Sequence, residues 1–137
     1  MKDVQTLFSD SLDASEFDFV DALMQKNAAR SESLLQVLLA SGKNPFMLVS
    51  LLQRSFSTYV SIAALLKDGK NPTEAGQILK IPPWLLRKHL AVVQKHPIQQ
   101  LKRCVEALVR VDSKLKNRSL GTESIFSEFV YNVTHEV

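Results

Sequence analysis

Apolar side chains recur at intervals of three and four residues along most of this chain, and no stretch alternates strictly between apolar and polar positions. The first spacing places side chains on one face of an α-helix, whereas strict alternation would indicate a half-buried β-strand. The clearest stripe consists of Leu101, Cys104, Leu108, Val111 and Leu115. The pattern predicts an all-α fold, a single-domain bundle of about six to seven helices.

Proline, glycine and small polar residues divide this pattern into helices. Asn44-Pro45 and Asn71-Pro72 each combine a capping residue with a proline at the first helical position. Gly42 suits the left-handed turn after a helix, Pro82-Pro83 separates two helices, and Ser15 is a capping residue. Helices are predicted over residues 15–26, 28–41, 45–66, 72–80, 83–96, 97–118 and 123–135, after a short helix or tail at 3–12.

The same spacing identifies the side chains that should face the core. Three stripes, in the first, second and last of these helices, carry most of them. They are Phe19, Val20, Leu23, Leu34, Leu35, Leu38, Leu39, Ile125, Phe126, Phe129, Val130 and Val133. The helix at 83–96 adds Leu86, Leu90 and Val93.

The segment from Pro45 to Leu66 carries one formal charge, on Arg54, and is long enough to raise the question of a membrane span. Its serines, its threonine, Gln53 and Arg54 would be costly in hydrocarbon. We therefore expect no membrane partner for it. The segment is predicted to be a central helix covered on most sides by its neighbours.

Length and charge set the class of protein. A chain of 137 residues and 15.4 kDa fits one domain, and its single cysteine and lack of an apolar leader favour the cytoplasm. Residues 1–42 carry three Lys/Arg against seven Asp/Glu, residues 43–118 carry fourteen against four, and residues 119–137 carry three Glu. This asymmetry is either a surface for other chains or nucleic acid, or an ordinary solvated surface.

The sequence offers few groups for catalysis. His89, His96 and His135 lie on separate segments with no carboxylate or thiol at ligand spacing, and Cys104 sits on an apolar stripe, where a buried hydrophobe is expected. The four glycines are scattered singly, so no phosphate-binding loop is formed. We predict no catalytic residue, no metal and no cofactor for this chain.

One local pattern points towards DNA. Residues 74–90 predict two short helices around a tight turn, with basic residues in the second, as in a helix-turn-helix protein. The second helix, however, opens with Pro83, Trp84, Leu85 and Leu86, where a DNA reader would place polar side chains. Sequence-specific DNA binding remains the alternative function.

Four short motifs together resemble a known family. They occupy residues 17–23, 38–45, 79–83 and 112–116, and read FDFVDAL, LLASGKNP, LKIPP and DSKLK. In this order and spacing, residues 16–133 resemble the C-terminal collar domain of the delta subunit of bacterial DNA polymerase III, a component of the clamp loader.

The resemblance implies a division of the chain and a set of partners. It implies a helical collar domain at 15–137, with residues 1–14 as a short N-terminal helix or the exit of a preceding lid domain. The collar would assemble with those of the gamma/tau and delta-prime subunits, supporting loading of the sliding clamp in DNA replication. Contact with the clamp itself would belong to an N-terminal domain outside this sequence, and any DNA contact would be indirect.

The resemblance also implies what activity to expect and that part of the surface contacts other subunits. The parent subunit would belong to a DNA polymerase holoenzyme, a nucleotidyltransferase complex, without catalysis in this chain. As candidate subunit-interface residues we take one aromatic side chain and six cations: Trp84, Arg87, Lys88, Lys102, Arg103, Arg110 and Lys114. Trp84 is a contact anchor if exposed, but we expect it to pack under the turn as core. Asp112 and Lys116, four apart, are expected to pair along their helix.

Overall fold

The computed structural model describes residues 14–117 and 121–135, and those two stretches contain seven α-helices and no strand. The helices are α1 (Ala14–Met24), α2 (Ala28–Ala40), α3 (Pro45–Lys67), α4 (Pro72–Leu79), α5 (Pro83–Val93), α6 (Ile98–Asn117) and α7 (Thr122–His135). The all-α prediction is confirmed. The segment predicted at 3–12 lies outside the described residues.

Asparagine side chains begin three of these helices. Asn27 Oδ1 accepts a hydrogen bond of 3.1 Å from the backbone N–H of Arg30, and Asn44 Oδ1 accepts one of 2.9 Å from that of Phe46. At Asn71 the bond is reciprocal, because Glu74 N–H donates to Asn71 Oδ1 at 2.8 Å and Asn71 N–H donates to Glu74 Oε1 at 3.2 Å. This capping box satisfies two backbone donors that the first turn would leave unpaired.

Left-handed residues end several helices. Gly42 follows α2 with φ +81°, as the sequence predicts. Lys26 after α1 and Lys80 after α4 adopt φ 59° and 58°, a conformation that side chains with a Cβ rarely take. Lys26 therefore stops α1 at Met24, two residues before the predicted end, and Ser15, predicted as the cap, lies inside α1 instead.

The chain forms two compact units. Met1–Ser55 together with Glu106–Val137 form one, here called the terminal unit, and Phe56–Val105 form the other, the middle unit. Helices α3 and α6 contribute residues to both.

In the terminal unit, α1, α2 and α7 contact one another pairwise. Its fully buried large side chains come from five helices: Phe19, Leu23, Leu35, Leu48, Leu52, Leu108, Ile125 and Phe126. Burial of Phe129, Val130 and Val133 confirms the stripe predicted for α7. Leu34 and Leu39 were also predicted as core but are only half-buried, because Leu35 and Leu38 occupy the face that points inward.

The middle unit is built on α4, α5 and parts of α3 and α6. Its buried side chains are Phe56, Tyr59, Ile62, Ala75, His89, Val92, Val93, Leu101 and Cys104. A Cβ on Gly76 would lie 2.6 Å from Leu86 Cδ2, so glycine allows α4 and α5 to approach closely. Cys104 has the buried position that its apolar stripe predicts.

Helix α3 is less enclosed than the sequence predicts. Its buried side carries Leu48, Leu52 and Tyr59, but Phe46 and Met47 in its first turn are exposed. Polar side chains interrupt α3 along its length. No helix in the described ranges is long and apolar enough to cross a membrane.

Candidate functional site

Helix α5 places three of the predicted interface residues on its outward side. Trp84, Arg87 and Lys88 are exposed, and the Lys88 ammonium lies 5.7 Å from the centre of the Trp84 ring, within cation–π range. The expectation that Trp84 belongs to the core is wrong, since 41% of the residue is exposed. Its position two residues before Leu86, which packs on α4, turns the indole away from that contact.

Lys102 and Arg103 occupy the exposed side of α6 within the middle unit. Their neighbours Leu101 and Cys104 point into the core, so the stripe predicted from the sequence separates the two sides of this helix. Five of the seven predicted interface residues thus belong to the middle unit.

Arg110 and Lys114 belong to the terminal unit and line a shallow groove between α6 and α7. The Lys114 ammonium donates to Glu128 Oε1 across this groove, and Asn132 lies along it. The apolar residues lining it are Ala107, Val111, Ile125 and Phe129. Lys114 therefore has a structural role within its own unit, whereas Arg110 is exposed.

Other polar side chains in the terminal unit also form ion pairs and hydrogen bonds, most of them between segments that the fold brings together. Lys43 Nζ donates to Glu16 Oε2 at 2.5 Å, where the Glu16 side chain is 1% exposed and that of Lys43 is 24% exposed. Arg30 pairs with Asp21 at 3.3 Å. Gln36 donates to Glu123 at 3.0 Å, and Ser127 donates to Glu32 at 3.2 Å. Asp112 and Lys116 pair at 2.9 Å, as predicted.

A buried polar pair in the middle unit was missed from the sequence. The rings of Tyr59 and His89 lie 5.1 Å apart in an edge-to-face arrangement. Among residues 14–117 and 121–135, neither Tyr59 Oη nor His89 Nδ1 has a hydrogen-bond partner. Burial, with Lys88 as a smaller cause, lowers the pKa of His89 to about 4, and burial raises the pKa of Tyr59. The available signal was position, since His89 lies three residues after Leu86 and four before Val93 on the packed face of α5.

The helix-turn-helix alternative is tested by α4 and α5. The two helices contact each other around a tight turn, as that motif requires. The first turn of α5, however, presents Pro83 and Trp84 to solvent, with Leu85 and Leu86 half-buried. It offers no side chain that could read a base edge by hydrogen bonds, apart from the indole N–H.

The described side chains do not converge into a metal centre. Across residues 14–117 and 121–135, no three His, Cys, Asp or Glu side chains are grouped so that they could hold a metal ion. What the two units present is a set of helix faces with exposed cations and one exposed indole. Such faces suit contact with other macromolecules.

A family model for the DNA polymerase III delta subunit, C-terminal domain, matches residues 13–133. The chain belongs to this family.

The solved structures include a similar fold. The Bacillus subtilis DNA clamp loader delta protein, YqeN, superimposes with a TM-score of 0.80 at 14% sequence identity. The alignment covers 89% of this chain and 36% of that protein, so the delta-family chain described here spans about a third of the length of that relative. At this identity the likeness establishes the fold, which is clamp-loader collar-like. No curated protein matches the chain by sequence.

Proposed function

We propose that residues 15–137 form the collar domain through which a delta subunit joins the other subunits of a DNA polymerase III clamp loader. The observation that carries this proposal is the delta-family match over residues 13–133. In this proposal residues 1–14 are the exit of a preceding lid domain or a short N-terminal helix, and the partners are the collars of the gamma/tau and delta-prime subunits.

The proposed role is binding rather than catalysis. Holding a subunit in a ring requires exposed side chains on rigid helices, and Trp84, Arg87, Lys102 and Arg103 in the middle unit and Arg110 in the terminal unit have that placement. Support for loading of the sliding clamp would be indirect, because the chain would fix the position of the segments that contact the clamp.

The test is assembly. The chain is co-expressed with the gamma/tau and delta-prime subunits of the same organism, and the mixture is separated by size exclusion with light scattering. A complex containing the chain in fixed stoichiometry is expected. A Phe126→Asp variant, which places a charge at a fully buried position, serves as the misfolded control and should stay outside the complex. A folded chain that elutes alone would refute the proposal.

The DNA-binding alternative gives a different result. A helix-turn-helix protein would retard duplex DNA, with an affinity that falls steeply with salt and a base preference that persists at moderate salt. For the collar domain we expect no base preference in the same electrophoretic assay.

A further inference from the structure

The outward face of α5 carries an indole, cations and a small residue in one stripe. Trp84, Arg87, Lys88 and Ala91 are all exposed and follow one another at helical spacing, so they share one side of the helix over about two turns. Lys95, just beyond the helix end, is also exposed. We call these five residues the α5 face.

This face lies in a stretch without negative charge. Residues 75–105 contain six Lys/Arg and no Asp or Glu. The middle unit as a whole has eight Lys/Arg against two Asp/Glu. Its own carboxylates are too few to neutralise these cations. A partner that covers the α5 face is therefore expected to bring acidic side chains, because like charges at an interface are strongly unfavourable.

The shape of the stripe favours another helix. Ala91 lies between the cations, and a small side chain at that point lets a second helix approach closely while Trp84 and Arg87 contact its flanks. Tryptophan and arginine are also the residues that most often dominate protein–protein binding energy. Base stacking needs an open ring face, and Lys88 lies over one of the two faces of the Trp84 indole.

We propose that the α5 face binds an acidic helical segment of a protein partner, with Trp84 as the anchor, Arg87, Lys88 and Lys95 pairing with carboxylates, and Ala91 at the helix crossing. The inference rests on the proposed function, and places the acidic segment in the gamma/tau or delta-prime subunit.

Trp84 provides a direct probe, because it is the chain's single tryptophan. The chain is labelled with 5-fluorotryptophan, and its one fluorine resonance is followed while unlabelled gamma/tau and delta-prime subunits are added. A shifted or broadened resonance is expected on complex formation. Assembly seen by size exclusion with an unmoved resonance would overturn the α5 proposal and leave the collar proposal standing. No assembly at all would overturn both.

Two double variants separate charge on the α5 face from charge elsewhere in the middle unit. Arg87→Glu combined with Lys88→Glu should weaken binding at least tenfold, while Lys67→Glu combined with Lys70→Glu makes the same charge change at exposed positions off α5 and should have a much smaller effect. Equal weakening by both pairs would mean that overall charge alone attracts the partner, and would refute a specific α5 site. Circular dichroism checks that each variant is folded.

Ala91→Arg distinguishes a helix from nucleic acid. The added side chain blocks close helix approach but increases the positive charge, so protein binding should weaken at least tenfold and binding of an oligo-dT strand should not weaken. Protein binding that is unchanged or tighter in this variant would overturn the proposal. A fluorine shift caused by oligo-dT, with none caused by the subunits, would assign the face to nucleic acid instead.

Discussion

The terminal and middle units use charge in opposite ways. In the terminal unit, cations pair with carboxylates of the same unit, as in Lys43–Glu16, Arg30–Asp21 and Lys114–Glu128. In the middle unit, cations outnumber carboxylates by eight to two and occupy the outward faces of α5 and α6. Of these terminal pairs only Lys43–Glu16 is substantially buried, so it is the pair from which we expect a contribution to stability. The excess of cations in the middle unit favours instead the acidic partner that we propose.

The largest expected effect concerns the core of the terminal unit. Phe126→Ala removes a fully buried ring from α7 and should lower the free energy of unfolding by about 4 kcal/mol, because it combines lost burial with a cavity. Tyr131→Ala on the same helix, where the side chain is 61% exposed, should cost at most about 1 kcal/mol. Urea unfolding measures both, and equal losses would show that α7 does not pack as described.

The next largest effect compares how much stability is lost when one cation is removed from each unit. Lys43→Met leaves Glu16 buried without this ammonium and should destabilise the chain by about 2 kcal/mol, less than for a fully enclosed pair since Lys43 reaches solvent. Arg87→Met on α5 should change stability by less than about 0.5 kcal/mol, because its side chain is exposed. Urea unfolding of the two variants checks this. A larger loss from Arg87→Met than from Lys43→Met would contradict the division of roles.

A loss of stability of similar size should appear at acid pH, because His89 is buried in the middle unit. The pKa of His89 is about 4 in the folded chain and about 6.5 when unfolded, so the unfolded state takes up the proton first as the pH falls. The stability contributed by neutral His89 is complete above about pH 6.5 and is lost between about pH 6.5 and pH 4. Between pH 7 and pH 5 the loss should be about 2 kcal/mol.

His89→Phe should remove this part of the pH dependence, as measured by urea unfolding at both pH values. Tyr59→Phe is the matched control. It deletes a buried hydroxyl that has no hydrogen-bond partner within the described part of the chain, and it should leave stability unchanged or raised while keeping the pH dependence. An unaltered pH dependence in His89→Phe would mean that the imidazole is solvated in the folded chain.

Sequence reasoning succeeded where the signal was local or periodic. Asn71 with Pro72 predicted the start of α4, and the three-to-four spacing of apolar residues predicted the buried side of α6. It failed for Trp84, because hydrophobicity alone predicts burial for an indole and says nothing about which side of α5 packs on α4. It also missed the pairs Lys43–Glu16 and Tyr59–His89, whose members are distant in the chain and meet only through tertiary packing.

From the sequence, the candidate interface could be predicted only as a set of residue types, without their arrangement. Residue type and charge selected seven candidates, but the sequence did not show that Lys114 pairs with Glu128 within the terminal unit. Nor did it show that Ala91 continues the stripe of Trp84, Arg87 and Lys88. Both facts depend on how the helices are rotated about their axes, which only the packed structure defines.

The smallest predicted effect is a gain in stability when a left-handed lysine is replaced by glycine, and it should be similar in the two units. Lys26 and Lys80 adopt left-handed conformations after α1 and α4, and a lysine Cβ is unfavourable there. Lys26→Gly and Lys80→Gly relieve that cost but increase the freedom of the unfolded chain, so each should stabilise by about 0.5 kcal/mol. Thermal unfolding of the two variants and of the double variant measures this.

Each variant also removes one cation, and only Lys80 lies in the positively charged middle unit. The informative result is therefore that Lys80→Gly stabilises the chain more than Lys26→Gly does, by an excess that shrinks at high salt. That result would show that charge repulsion in the middle unit lowers stability, as expected if this surface binds an acidic partner.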